Sequence, residues 1–124
     1  MSYWTYVRII YDVEVPTRIN QDGDFDIIGL TQLFKSAMYE LEPNGILDLG
    51  SERPIDIDLK VFYGTSTHYG DKRIQVDDRG QIIIIGNLRD CKRKEFIVEL
   101  NKFIKHLRNY GIHITDGLAK IEGD

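Results

Sequence analysis

At 124 residues the chain has the length of one domain, and 42% apolar beside 29% charged residues is the balance of a globular fold rather than a disordered or collagenous one. One cysteine, Cys91, excludes an internal disulfide and a structural zinc site built from several cysteines. The longest apolar run, Ile82 to Ile85, is far short of the ~20 residues a membrane helix needs. Met1 to Thr5 has neither the basic nor the apolar region of a signal peptide, so a cytoplasmic protein with no membrane contact is expected.

From Tyr3 to Val15 the residues alternate, with Tyr3, Val7, Ile9, Tyr11, Val13 and Val15 on one face and Trp4, Tyr6, Arg8, Ile10, Asp12 and Glu14 on the other. Period two and β-branched enrichment predict a strand that Pro16 ends, followed by turn chemistry from Asn20 to Asp24. Ile27, Ile28, Leu30, Leu33, Phe34, Ala37, Met38 and Leu41 then recur at helical spacing, with Asp24 or Asp26 as the expected N-cap and Pro43-Asn44-Gly45 as the stop. Residues 46–54 give no readable pattern.

Ile55, Ile57, Leu59, Val61 and Tyr63 alternate with Asp56, Asp58, Lys60 and Phe62, which predicts a second strand. Gly64 to Asp71 reads as a loop, Lys72 to Asp77 as a short strand, and Asp78-Arg79-Gly80 as a tight return. Gln81 to Ile85 is apolar on both faces, as a central strand or one with a covered second face would be. Asp90 is the expected N-cap of a second helix carrying Phe96, Ile97, Leu100, Phe103, Ile104, Leu107 and Tyr110, with Gly111 at its left-handed end. A last strand runs from Ile112 to about Ile121, with a bulge expected at Asp116-Gly117. The chain is thus expected to form one α+β domain over residues 1–124. Its architecture is a ferredoxin-like antiparallel sheet with an extra strand, both helices packed on one face.

Charge is unevenly placed. Arg89 to Arg108 holds seven basic and three acidic residues, while the rest of the chain is strongly acidic. Arg89, Lys92, Arg93 and Lys94 crowd the start of the second helix, where each opposes the helix dipole by roughly 0.3–1 kcal/mol. Free amides and cations there would suit a phosphate or a partner's carboxylates. The plainer reading is neutralisation within the chain by Glu95, Asp77 and Asp78.

Three other features carry chemistry. The Gly64 to Asp71 loop gathers Ser66, Thr67, His68 and Tyr69, but a nucleophile and base side by side in a short loop lack an orienting acid and an oxyanion hole. Trp4, Tyr6, Ile10 and Phe62 fall on the sheet face away from the helices, where aromatic anchors ringed by charge suit a protein interface. The carboxylates Asp12, Glu14, Asp56 and Asp58 beside them argue against nucleic acid. His68, His106 and His113 have no metal spacing, with His106 expected on the helix surface. Cys91, beside cations in a first helical turn, would have a depressed pKa if exposed. No metal, cofactor or catalytic residue is expected.

Three stretches carry a resemblance: Trp4-Thr5-Tyr6-Val7-Arg8; Gly50-Ser51-Glu52 with Thr67-His68-Tyr69-Gly70-Asp71; and Ile85-Gly86-Asn87-Leu88-Arg89-Asp90 leading into a basic amphipathic helix. In these the chain resembles small uncharacterised proteins encoded by bacteriophages and prophages. That resemblance implies a phage accessory protein that binds and inhibits a protein of the host cell or sequesters a host signal, without turning anything over. The expected function is therefore non-catalytic inhibition of a host protein by a homo-oligomer, through Trp4, Tyr6, Phe62, Thr67, His68, Tyr69, Arg89, Lys92, Arg93 and Lys94. The alternatives are a binder of a phosphate-bearing ligand, either a nucleotide-derived signal or RNA, and a small hydrolase using the 64–71 loop.

Overall fold

A computed structural model describes residues 3–16, 18–19, 25–26, 28–50, 53–62, 65–69 and 71–123. The expected turn at Asn20 to Asp24, Ser51 and Glu52, and the side chains of Thr67, His68 and Tyr69 lie outside what is described. The elements are β1 (Trp4–Glu14), β2 (Arg18–Ile19), β3 (Phe25–Asp26), α1 (Leu30–Tyr39), β4 (Ile55–Phe62), β5 (Thr65–Tyr69), β6 (Lys72–Val76), β7 (Arg79–Arg89), α2 (Arg93–Asn109) and β8 (His113–Gly123).

Four strands form an antiparallel sheet in the order β4-β7-β1-β8. β1 and β4 are therefore parallel with β7 between them, and β7 and β8 are parallel with β1 between them. Each pair is joined through a helix, and two right-handed crossovers place both helices on the same side. This is the expected α+β, ferredoxin-like arrangement. β2 with β3 and β5 with β6 are added as separate two-stranded ladders.

Alternation decides the core. Thr5, Val7, Ile9, Tyr11 and Val13 of β1 and Ile82, Ile84 and Leu88 of β7 are buried under Leu30 and Ala37 of α1 and Phe96, Leu100, Phe103 and Leu107 of α2. α1 lies against the inner side of β4 and α2 against β8. Burial of this kind stabilises by about 1.5–3 kcal/mol for each large apolar side chain fully removed from water.

Several local expectations are corrected. α1 starts at Leu30 with Gly29 in the cap position and no side-chain cap of its own. Its first amides are taken by Asp77, whose backbone oxygen accepts from Leu30 at 2.7 Å and whose carboxylate accepts from Thr31 at 3.0 Å. A Cβ on Gly29 would overlap that carboxylate, so this cap geometry needs glycine there. Asp26 lies instead in β3. α2 starts at Arg93 behind Lys92, and Asp90 stands before it in a left-handed conformation with φ 54°.

The Gly64 to Asp71 loop is largely strand, because the β-branched and aromatic residues Thr65, Thr67 and Tyr69 pair with β6. Asp78-Arg79-Gly80 makes no tight return: β6 pairs with β5, and Gly80 lies within β7. A Cβ on Gly80 would stand 2.5 Å from the Lys60 carbonyl oxygen, so that glycine serves close approach of chains. The register shift in β8 lies opposite Asp12 and Val13, about one residue earlier than expected.

Within the stretch unreadable in sequence, the described residues 46–50 and 53–54 are tied down by Arg53. Its guanidinium donates to the carbonyls of Leu49 at 2.7 Å, Arg89 at 2.8 Å and Asp90 at 2.9 Å. From the other side, the Leu47 amide donates to Glu99 of α2 at 3.0 Å.

Candidate functional site

The outer face of the sheet is open, since both helices lie on the inner side. Period two sends Trp4, Tyr6, Arg8 and Ile10 of β1, Ile83 and Ile85 of β7, and Leu118 and Lys120 of β8 outward. Register then decides what meets. One row across the sheet is Asp58, Ile83, Ile10 and Leu118, and the next is Asp56, Ile85, Arg8 and Lys120. Ile10, Ile85 and Leu118 are 41%, 40% and 73% exposed, so three strands share an apolar band in water.

The aromatic end of the band is ordered. Trp4 and Tyr6, two residues apart on one face, stack at 6.5 Å with ring planes 13° apart. Phe62 does not join them. It pairs with Arg79 while Trp4 pairs with Arg89, so ten residues of β7 separate the two, about 33 Å at the usual strand rise. Phe62 instead lies under the Lys60 ammonium, 5.6 Å from the ring centroid.

Polar groups around the band are largely engaged with one another. Arg8 donates to the carbonyls of Val7 at 2.7 Å and Gly86 at 3.3 Å and to the Asn87 side chain at 3.3 Å. Gln81 donates to Asp12 at 2.9 Å, and Lys120 pairs with Glu122 at 3.3 Å. A surface of apolar and aromatic groups set among satisfied polar ones can be desolvated at lower cost than one of free charges.

The basic run begins at the opposite end of the sheet from the hairpin. Arg89 closes β7, its guanidinium 3.6 Å from Asp90, and Lys92, Arg93 and Lys94 surround the start of α2, where a hollow of about 280 Å³ is lined by them and Ile97. β5, which carries Thr67, His68 and Tyr69, follows the Phe62 end of β4. The two parts of the phosphate-binding alternative thus spring from opposite ends.

Cys91 is buried, and its backbone carbonyl accepts from the Thr5 hydroxyl at 2.5 Å. Burial pushes the thiol up; Glu95 pushes the same way and Arg53 pulls down. Exposure in a first helical turn, the condition for a depressed thiol, is not met: Cys91 is buried and stands before Lys92, the cap residue of α2. His106 is buried too, contrary to the surface placement, and its Nε2 bonds the Ala37 carbonyl at 2.7 Å. A carbonyl only accepts, so that nitrogen carries the proton. Among the described residues no group of three or more His, Cys, Asp or Glu is placed to hold a metal ion, and no helix is long and apolar enough to cross a membrane.

Sequence reasoning missed two features. Ile83, Ile85 and Leu118 join Ile10 only once strand order is known. A groove of about 630 Å³ beside β4 is lined by Met38, Leu41, Ile46 and Leu47 together with Asp48, Asp56 and Asp58. Part of its wall is the 46–54 segment, for which hydrophobic periodicity offered no signal.

No protein-family model matches the chain, and no curated protein matches it. Among solved structures the chain is similar to a phage SAM lyase in complex with S-methyl-5'-thioadenosine, at 14% identity and a TM-score of 0.36, over 97% of this chain and 90% of that one. A likeness of this size brings no site or reaction with it. The neighbour comes from a phage, the source that the sequence resemblance named. It is also an enzyme, contrary to the expectation of a non-catalytic chain, which had rested only on the lack of a recognisable catalytic motif.

Proposed function

We propose that this protein acts by docking the open face of its sheet onto a protein of the host cell and inhibiting it, the role implied by the phage resemblance. The observation that carries the reading is the band of Trp4, Tyr6, Ile10, Ile85 and Leu118, exposed on the side of the sheet away from the helices, while the inner faces of β1 and β7 are packed. Contiguous apolar surface of this kind marks interaction sites on soluble proteins. A stacked tryptophan and tyrosine at its end are residue types that dominate binding energy at interfaces.

The test is affinity capture from host-cell lysate with three forms of the chain: unaltered, Trp4→Ala/Ile85→Ser, and Arg93→Glu/Lys94→Glu. Docking through the face predicts a partner that the first and third forms retain and the second loses. A partner held by the second form and lost by the third would move the interface to the start of α2 and overturn the reading.

A further inference from the structure

We propose that two copies of the chain join through their β8 strands, antiparallel across a two-fold axis at Leu118, into one continuous eight-stranded sheet. The inference goes beyond the docking reading and does not depend on it, because it concerns the edge of the sheet rather than its face.

β8 pairs with β1 on one side and ends the sheet on the other. It is 11 residues long against 8 for β4 at the opposite edge. Residues 115–120 are exposed throughout, inward-facing and outward-facing positions alike, so α2 does not roof this part of the strand. A long edge open on both faces presents unpaired backbone amides and carbonyls to any strand that fits.

Charge and size decide which strand fits. Leu118 is the middle residue of β8, so a two-fold there centres the pairing on residues 116–120, which lie clear of the register shift between Asp116 and Ile114. Antiparallel pairing about Leu118 sets Asp116 opposite Lys120 of the partner subunit, and Lys120 opposite Asp116 of the partner subunit. Opposite charges facing across strands are favourable and like charges are not. On the inner side Gly117 faces Ala119 of the partner subunit, two residues too small to obstruct the approach. A two-fold at Ala119 would set Asp116 against Glu122, and one at Gly117 would set it against Leu118. The Leu118 register is thus the centred one in which charges match.

The pairing also extends the outer face. Ile83, Ile10 and Leu118 share a row. At the two-fold that row meets its own copy and becomes six apolar residues wide.

The experiment uses the purified chain alone, so failure to find a docking partner cannot affect it. Sedimentation equilibrium is expected to give twice the 14.4 kDa of one chain. Asp116→Lys and Lys120→Asp each place like charges opposite one another twice per dimer, and each should weaken dimerisation about tenfold or more. The exchanged pair Asp116→Lys/Lys120→Asp restores the match and should regain most of the loss. Leu118→Cys should oxidise to a covalent dimer, since the axis brings that position against itself. A monomeric or trimeric unaltered chain overturns the proposal, as does a double variant no tighter than the single ones.

Discussion

Four consecutive isoleucines on β7 divide between two environments. Ile82 and Ile84 point inward and are 0% exposed beneath the helices, whereas Ile85, on the same strand, is 40% exposed. Residue type and backbone are the same; only the presence of α1 and α2 on one side differs. The inner pair is accounted for by folding, while the outer residues contribute little to it. Their presence between Ile10 and Tyr6 therefore points to a use outside the protomer.

The comparison can be broken most directly from inside. Ile84→Ala should destabilise by about 2–5 kcal/mol through lost burial and a residual cavity, read as a lower denaturation midpoint with an unchanged slope. Arg53→Ala should cost about 2 kcal/mol, because the Leu49 carbonyl and the two carbonyls of Arg89 and Asp90 at the β7-α2 junction lose charge-assisted donors. Asp77→Ala, which uncaps α1 from 46 residues away, should cost about 1 kcal/mol and speed amide exchange at Thr31.

A smaller effect follows from pH. The Cys91 thiol and the Tyr11 phenol are both raised by burial, so the unfolded chain gives up these protons first. Stability from both is fully present below the ordinary thiol value of 9.0 and falls as pH rises past it, with Tyr11 adding to the loss beyond 10.0. Cys91→Ala should flatten the first part of that fall in thermal melts taken across alkaline pH. Smallest of all, Ile85→Ala should change stability by no more than about 0.5 kcal/mol. A cost near that of Ile84→Ala would erase the distinction between the faces.

Much of this was legible in sequence because it is local. Period two in β1 and β4 and the stripe of Phe96, Leu100, Phe103 and Leu107 each report burial within a few residues, and the fold follows from their order. What escaped is non-local. The cap of α1 comes from Asp77, the clamp between Leu49 and the end of β7 from an arginine, Arg53, whose acceptors at Arg89 and Asp90 lie 36 and 37 residues on, and the band around Ile10 from three strands distant in sequence. Thr65 to Tyr69 misled for a different reason: glycines at either end suggested a loop, and its strand propensity counted only once β6 offered a partner. Phe62 was correctly placed on the outer face, yet alternation alone gives no distance along a strand.

Asp77 directly follows the β5-β6 hairpin and holds the opening turn of α1 through both its backbone and its carboxylate. The hairpin is thus levered against a helix start rather than hanging from two loose ends. A pull on it would be felt first as fraying at Leu30 and Thr31, and any graft that replaces β5 and β6 must return the chain to Asp77 in its present place.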